Sequence, residues 1–252
     1  KQLEAKVRTA DRLTAIGELS ASIAHEIRNP LAAISGSVEV LKSDLELSGE
    51  NQRLMDLIVK ESHRLSRILS EFLDYARIER AAYNKVDLCR VVSDTIQVLH
   101  HHESFHESIK IGIEASESIL YVVGDEDLFK QLLLNLAVNA CEALGSKGGS
   151  LDFRLLSNRE KEKVVLLVED SGPGIPQDQT KRIFEPFFST KKQGTGLGLA
   201  IVHRICSALK LDLSIKSFLG EGTSFRIEFR LFKYQDDFST DKVLGELTEA
   251  KT

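Results

Sequence analysis

The sequence predicts an all-α helical hairpin followed by an α+β sandwich domain. Over the first eighty residues, apolar side chains recur every three or four positions and only one proline interrupts them, which is typical of long amphipathic helices. From about Val86 the pattern changes to short strand-like runs separated by helical stretches. A polar segment follows Phe232. We therefore expect domains at residues 1–80 and 81–232, with residues 233–252 as an unassigned polar tail.

Two helices account for the first domain. A turn of small and polar residues, 48–51, separates them. Two amphipathic helices cannot enclose a core by themselves, so we expect a homodimer in which two hairpins form a four-helix bundle. Leu3, Val7 and Ala10 continue the spacing backwards, as a coiled coil entering from upstream would. The apolar positions of the two helices are Leu13, Ile16, Leu19, Ile23, Ile27, Leu31, Ile34, Val38 and Leu41, then Leu54, Ile58, Leu65, Ile68, Leu69, Phe72 and Ala76.

The second domain mixes strands with helices. Its helical patterns cover residues 128–144 and 197–209. Because strands and helices both contribute apolar faces, a layer of helices packed on a sheet is the expected architecture. The predicted strands are 109–113, 119–123, 151–156, 164–168, 213–218 and 224–231.

Composition narrows the classes of function. The hydrophobic fraction of 42% and the charged fraction of 28% are those of an ordinary globular protein. The net charge of -5 gives no reason to expect nucleic-acid binding.

The apolar runs, the first residue and the cysteines of the chain indicate its cellular location. The chain has no run of eighteen apolar residues, so the sequence predicts no membrane-spanning helix. It begins with Lys1 and its only methionine is Met55, so we expect a fragment whose sensor or membrane segment lies upstream. Cys89, Cys141 and Cys206 are odd in number and far apart, which indicates reduced thiols and a cytoplasmic location for this fragment.

His25 is the first candidate for chemistry. The apolar stripe uses positions 23 and 27, so the imidazole of His25 should point away from that face and be available as a nucleophile. Glu26 adjoins it, and Asn29 follows one helical turn later near the same face. Pro30 lacks an N–H and should bend the helix beside the histidine. Taken alone, an exposed surface histidine is the commoner explanation.

A polar stripe runs along the helix that begins after Asp125, which is a plausible N-cap. Asp127, Gln131, Asn135 and Asn139 follow at intervals of four residues on a helix otherwise rich in leucine and alanine. Oxygen ligands on one face suit Mg²⁺, which needs one or two protein groups in addition to substrate phosphates. A solvated face is the alternative, although glutamate and lysine would favour the helix more than amides do.

Two glycine-rich segments complete the set. Asp170 ends a predicted strand and is followed by Gly172 and Gly174, which allow a close backbone approach and a hinge, or simply a turn. The segment 194–199 opens a helix, whose free backbone N–H groups can bind phosphate. Lys191 and Lys192 precede it. Its spacing is neither the dinucleotide fingerprint nor a Walker A loop.

Taken in order over residues 10–230, these segments resemble the two-component sensor histidine kinases. Segments 25–30 and 184–198 are most similar to the nitrogen-regulation and pilus-type subgroup. The resemblance is carried by six motifs: His25 in the H box, Asn135 to Ala140 in the N box, Asp170 to Ile175 in the G1 box, Phe184 to Phe188 in the F box, Gly194 to Leu199 in the G2 box and Gly220 to Thr223 in the G3 box.

The resemblance implies a Bergerat-type ATP site. By analogy, Asp170 accepts a hydrogen bond from the adenine amino group and Thr223 supports it. Asn139 and Asn135 hold Mg²⁺ against the phosphates, and Lys191 reaches the phosphates. The remaining glycines belong to a lid hinged at Gly172 and Gly174 and continuing to Gly194, Gly196 and Gly198.

The implied reaction is transfer of the γ-phosphoryl group of ATP to His25, with Glu26 orienting the imidazole, and then to an aspartate of a response regulator. Asn29 matches the amide of the family's phosphatase motif. The related gyrase and chaperone ATPases have a glutamate at the position of Asn135, and an amide cannot replace it as a base for hydrolysis. Many family members also carry a basic residue soon after the N box, where this chain has Glu142.

Two other functions compete with this interpretation: a scaffold that binds nucleotide without transferring phosphate, and an ATPase or serine-directed kinase of the same fold. Intact His25, Asn139 and Asp170 argue against the first, and the paired helices with His25 argue against the second. The histidines at 100, 101, 102 and 106 could suggest a metal site, but a solvated linker is favoured because nothing fixes their geometry.

Overall fold

A computed structural model of the chain describes residues 26–45, 49–78, 81–191 and 194–233. The chain divides into two units, a helical unit (residues 1–79) and a sandwich unit (residues 80–252). His25, Lys192 and the predicted tail from residue 234 lie outside the described residues.

The helical unit contains two antiparallel helices. The first, α1, is helical over 26–44, and the second, α2, spans Gly49–Arg77. Arg28 donates to Ser70 Oγ at 3.0 Å near one end of the pair, and Lys42 forms an ion pair with Asp56 near the other. The helix continues through Pro30. The predicted turn over 48–51 is wrong at its end, because α2 already begins at Gly49.

Much apolar surface on these helices is exposed in the single chain. A single pair of helices can bury only one stripe of each member, so the remaining stripes stay open to solvent. Val38, Leu73 and Ala76 are buried. The large apolar side chains that stay exposed are Ile27, Ile34, Val40, Leu41, Leu45, Leu54, Leu57, Ile58 and Leu65.

The sandwich unit combines strands and helices. Its elements are β1 Asn84–Asp87, α3 Leu88–His100, β2 Ile109–Ala115, β3 Tyr121–Gly124, α4 Glu126–Leu144, β4 Gly149–Asn158, β5 Lys163–Asp170, α5 Gly198–Ala208, β6 Asp212–Phe218 and β7 Gly222–Arg230. A 3₁₀ turn, Gly145–Lys147, follows α4. Five of the strands form a mixed sheet of order β2-β4-β5-β7-β6, in which β2 and β4 are parallel and the other neighbours are antiparallel.

Strand alternation separates the two faces of the sheet. In β5 every second side chain, from Val164 to Asp170, is buried beneath the helices, while those between them are partly exposed. Helix α4 is central, because it contacts α3, α5 and strands β4 and β5. Phe129 of α4 meets Phe229 of β7 edge to face, with ring centroids 5.0 Å apart. The predicted sandwich of helices on a sheet is confirmed.

A two-stranded ribbon lies beside this sheet. Strand β1 pairs with β3 antiparallel, and Leu231 forms a bridge to Val122 of β3. The Phe232 N–H donates to the Tyr121 carbonyl at 2.9 Å. The entering and leaving segments of the sandwich unit therefore both border β3.

The predicted strands and helices of this unit are all present, with ends shifted by at most two residues. Strand β1 and helix α3 were not predicted. The apolar spacing from Leu88 to Leu99 was a helical signal, and Asp87 is its N-cap, accepting from the N–H groups of Cys89 and Arg90. No helix in the described ranges is both long and apolar enough to cross a bilayer. All three cysteines are free thiols.

Candidate active site

Asp170 places a carboxyl group in a position that the strand pattern reserves for apolar side chains. It follows Val164, Leu166 and Val168 on the buried face of β5. The N–H of Gly172 donates to its Oδ1 at 2.8 Å. Burial raises the pKa of Asp170, while hydrogen bonds from the backbone N–H groups of Gly172 and Thr223 and the charge of Lys191 oppose that rise.

Thr223 lies directly across from Asp170 in the β5–β7 ladder, and Ser217 lies across from Thr223 in the β6–β7 ladder. All three side chains are buried. The hydroxyl oxygens of Ser217 and Thr223 are 3.0 Å apart. Ser217 was not predicted as a site residue; the alternation of Leu213, Ile215 and Ser217 in β6 indicates that its side chain points inward, but its pairing with Thr223 depends on the register of the sheet.

Gly174 lies where the chain leaves the sheet. Its φ of +72° is in the left-handed region that favours glycine, and a Cβ there would lie 2.0 Å from the backbone oxygen of Phe218. Gly172 approaches helix α4, because a Cβ on it would lie 3.4 Å from the Cβ of Ala143. These two glycines bring the segment after Asp170 close to both the β6–β7 turn and α4.

Helix α4 presents the predicted polar stripe. Asp125 caps it by accepting from the N–H groups of Asp127 and Leu128, as predicted. The Asn135 side-chain N–H donates to the Gln131 carbonyl at 2.8 Å. That bond directs its amide oxygen towards the start of α5, where it is the nearest atom, at 3.1 Å, to the position of a Cβ on Gly198.

Lys191 reaches back to the same helix. Its ammonium donates to Asn139 Oδ1 at 3.1 Å and to Glu142 Oε2 at 2.7 Å. The two side chains of this ion pair are each somewhat more than one third exposed. A cation therefore already contacts the Asn139 amide oxygen, and an acidic residue neutralises part of its charge.

The segment preceding α5 is held by backbone contacts. The Phe187 N–H donates to the Gly196 carbonyl at 3.0 Å, and both residues have positive φ. A Cβ on Gly194 would meet only the movable side chains of Ser189 and Lys191 within 3.4 Å. Helix α5 begins with Leu197 as its N-cap, whose side chain cannot accept a hydrogen bond. The first N–H groups of α5 therefore remain available to an anion.

The predicted nucleotide residues thus converge around the second half of α4. Asp170, Gly172, Gly174 and Thr223 lie at one end of β5 and β7. The other residues lie on α4, in the segment that leads into α5 and at the first position of α5; they are Asn135, Asn139, Lys191, Gly194, Gly196 and Gly198. In the helical unit, Glu26 and Asn29 are exposed on α1, beside His25, which lies outside the described residues.

The donor set fits a magnesium ion bound together with substrate phosphates. Asn139 Oδ1 accepts a hydrogen bond from the Lys191 ammonium. The side-chain N–H of Asn135 donates to the helix backbone, so its Oδ1 makes no contact with that backbone. Within the described ranges, no three His, Cys, Asp or Glu side chains gather in a way that could hold a metal. Neutral amide oxygens plus phosphate oxygens are a donor set that Mg²⁺ accepts.

The histidines at the end of α3 and just after it make local contacts. His100 packs edge to face on Phe105 at 4.7 Å, and His101 Nδ1 lies 3.0 Å from the Gln97 carbonyl. The N–H of Ser104 donates to His102 Nδ1 at 3.2 Å. These contacts are those of a solvated connection between α3 and β2.

A helical hairpin followed by a sandwich with a polar cluster beside its central helix defines a two-part catalytic core. Residues 15–81 match the family model "His Kinase A (phospho-acceptor) domain", and residues 124–233 match "Histidine kinase-, DNA gyrase B-, and HSP90-like ATPase". The chain therefore contains the phospho-acceptor domain and the ATPase domain of histidine kinases, and the curated proteins that it is similar to are sensor histidine kinases.

Individual relatives agree with this family. The sensor histidine kinase ZraS of Escherichia coli K12 is 34% identical over 225 residues, which cover 89% of this chain and 48% of ZraS. Full-length ShkA in complex with AMPPNP superposes with a TM-score of 0.67 at 27% identity, over 85% of this chain and 46% of ShkA. The histidine kinase ThkA in complex with the response regulator TrrA has a TM-score of 0.63 at 29% identity, over 92% of this chain and 66% of that chain. The chain spans about half the length of ZraS.

Proposed function

We propose that the whole protein is a sensor histidine kinase that phosphorylates itself on His25 and passes the phosphoryl group to an aspartate of a response regulator. The observation that carries the proposal is the convergence of Asp170, Asn139 and Lys191 around α4, in a chain whose phospho-acceptor match includes His25. ThkA, a structural neighbour, was crystallised with a response regulator. We also assign the protein to the nitrogen-regulation and pilus-type subgroup, on the residues of segments 25–30 and 184–198.

In this proposal each polar group meets one part of the nucleotide. The Asp170 carboxylate accepts from the adenine amino group and Thr223 supports it. The N–H groups at the start of α5, which begins at Gly198 and follows Gly194 and Gly196, bind phosphate oxygens, as does the Lys191 ammonium. Gly172 and Gly174 act as the hinge of the lid.

Asn139 and Asn135 would hold Mg²⁺ through their amide oxygens. The ion would supply neutralisation of phosphate charge. Without a general base at position 135, the site favours transfer to a protein nucleophile over transfer to water.

The proposed transfer moves the γ-phosphoryl group from ATP to His25. A ring nitrogen of His25 attacks the γ-phosphorus with its lone pair, a nitrogen–phosphorus bond forms, and the bond from that phosphorus to the β–γ bridging oxygen breaks. ADP leaves with the bonding electrons. Glu26 orients the imidazole and accepts the proton of the other ring nitrogen, so that the imidazolium formed during attack becomes a neutral phosphoramidate.

Other parts of the chain have supporting roles in this proposal. The exposed apolar side chains of α1 and α2 are covered in a homodimer. Asn29 orients a water in a phosphatase reaction on the regulator. The functional domains are residues 1–80 and 81–232, and the polar tail 233–252 has no assigned role. In this proposal these two domains act in the cytoplasm, with no nucleic-acid partner.

The test is incubation with γ-labelled ATP and Mg²⁺, followed by treatment of the labelled protein with acid and base. A phosphohistidine is acid-labile and base-stable, so label should be lost in acid and retained in base. His25→Gln should remove labelling and leave ATP affinity within about twofold, because the nucleotide residues belong to the other unit. Undiminished labelling of His25→Gln would refute the acceptor, whereas ATP binding without labelling of the wild type would favour the scaffold alternative.

A further inference from the structure

Ser217 links three parts of the proposed adenine pocket. Its hydroxyl accepts from the Ile175 N–H at 2.8 Å, donates to the Gly222 carbonyl at 2.9 Å, and lies 3.0 Å from Thr223 Oγ1. The Gln177 side-chain amide also donates to the Ser217 carbonyl at 3.0 Å. Ser217 is 3% exposed, so these protein contacts largely replace water.

The proton count of this cluster fixes the direction of one hydrogen bond. A serine hydroxyl has one proton to donate. The Gly222 carbonyl can only accept, so the Ser217 proton is directed to it. The 3.0 Å contact with Thr223 must then be a bond in which Thr223 donates and Ser217 accepts. The Thr223 proton is therefore used inside the protein.

The direction of the hydrogen bond from Thr223 to Ser217 decides what the Thr223 hydroxyl can offer to a ligand. With its proton turned towards Ser217, the Thr223 hydroxyl can offer only lone pairs to a ligand. Asp170, its neighbour across the ladder, offers carboxylate oxygens. Two adjacent acceptors favour a ligand edge that carries an N–H donor, such as an exocyclic amino group, and disfavour an edge that carries a carbonyl oxygen.

We propose that Ser217 is a positioning residue for base specificity, because it orients the Thr223 hydroxyl so that the site accepts a 6-amino purine and rejects a 6-oxo purine. The inference rests on the proposed function, since it concerns the same ATP site. Ser217 touches no substrate atom in this role. It acts through Thr223.

The experiment compares the dissociation constants of ATP and inosine triphosphate, whose base has an oxo group in place of the amino group. In Ser217→Ala the Thr223 proton loses its internal acceptor and can turn towards the ligand. The preference for ATP over inosine triphosphate should then shrink roughly three- to tenfold, the value of one neutral hydrogen bond. Ser214→Ala is the matched control, because Ser214 is exposed on the same strand.

A double-mutant cycle separates orientation from packing. Thr223→Val removes the hydroxyl, so adding Ser217→Ala to it should leave the ratio of the two dissociation constants unchanged. If Ser217→Ala fails to fold, Ser217→Cys keeps the volume with a weaker acceptor and should shift the ratio in the same direction. A ratio that stays at the wild-type value in the folded variant, or that shifts equally in the Thr223→Val background, would overturn the inference while leaving the kinase proposal intact. A wild type that binds neither nucleotide would overturn both.

Discussion

Lys191 and Glu142 form an ion pair in which the ammonium nitrogen lies 2.7 Å from a carboxylate oxygen. Glu142 stands soon after Asn139, where many sensor histidine kinases carry a basic residue. The chain therefore has an acid on α4 and a base on the segment preceding α5, and the acid partly neutralises the lysine proposed to meet the phosphates. Because Glu142 and Lys191 carry opposite charges, we expect substitutions of these two residues to change the affinity for ATP in opposite directions.

We expect Glu142→Gln to tighten ATP binding and Lys191→Gln to weaken it. Removing the carboxylate frees the ammonium for phosphate and removes a negative charge near the triphosphate. Removing the ammonium does the reverse. Each effect should be a few-fold in the dissociation constant, because the pair is partly exposed and such pairs contribute roughly 0.2–1 kcal/mol. Titration calorimetry with ATP and Mg²⁺ measures both.

The control for this prediction is Glu126→Gln. Glu126 makes a 2.7 Å ion pair with Lys130 in the first turn of the same helix, about 24 Å from Glu142 along the helix axis. It removes the same charge and should leave ATP affinity unchanged. Equal effects of Glu126→Gln and Glu142→Gln would mean that net charge, and not the contact with Lys191, is responsible.

Gly174→Ala should destabilise the sandwich unit far more than Gly220→Ala. Both glycines have positive φ, but a Cβ on Gly174 would collide with the backbone oxygen of Phe218, while a Cβ on Gly220 meets no atom within 4 Å. We expect a loss of roughly 2–5 kcal/mol for the first and about 1–2 kcal/mol for the second. Urea unfolding of the two variants measures the difference, and equal losses would show that the backbone contact at Gly174 is unimportant.

Nucleotide affinity should fall on acidification through the titration of Asp170. The ionised carboxylate is the form that accepts from the adenine amino group. Because burial raises the pKa of Asp170 above its ordinary value of 3.8, this loss begins at a higher pH than for an exposed aspartate. Asp170→Asn has no such titration, and the titration of ATP itself is common to both proteins. Parallel pH curves for the two would contradict the assigned contact.

The same group affects stability with the opposite sign. A carboxyl whose pKa is raised by folding favours the folded state below pH 3.8, and this contribution is lost as the pH rises through the folded pKa. The free energy of unfolding of the nucleotide-free wild type should therefore decrease, relative to that of Asp170→Asn, as the pH rises from 3.8 through the folded pKa of Asp170.

Glu26 and Asn29 should separate the two reactions of the phospho-acceptor helix. Glu26→Ala should mainly slow autophosphorylation, because a carboxylate can act on the imidazole proton. Asn29→Ala should mainly slow dephosphorylation of the regulator, because an amide can orient water but cannot remove that proton. Each rate is measured with the purified regulator after circular dichroism and light scattering show unchanged helicity and dimer mass. Normal labelling by Glu26→Ala, or normal dephosphorylation with Asn29→Ala, would contradict this division.

The sequence allowed the architecture to be predicted because the apolar periods are long and regular. The N-cap at Asp125 and the stripe through Asn135 follow from spacing along one helix, so they could be predicted locally. Strand β1 could not, since its four residues acquire their role only by pairing with β3, which lies more than thirty residues away in sequence.

The contacts between distant residues had no local signal. The meeting of Lys191 with Glu142 depends on how the segment before α5 folds back on α4. Likewise the hydroxyl pair of Ser217 and Thr223 depends on the register of the β6–β7 hairpin. A residue that acts through another across a sheet is visible only once the register is known.

The ribbon beside the sheet brings together the two ends of the described part of the sandwich unit, residues 81–233. Strand β3 lies between β1 and Leu231, so these two segments run about 10 Å apart. Domains with neighbouring ends tolerate insertion into a host loop and circular permutation. We therefore expect residues 81–233 to tolerate insertion into a loop of another protein. We also expect them to tolerate circular permutation with new ends at the 159–162 hairpin, which lies at the opposite end of β5 from Asp170.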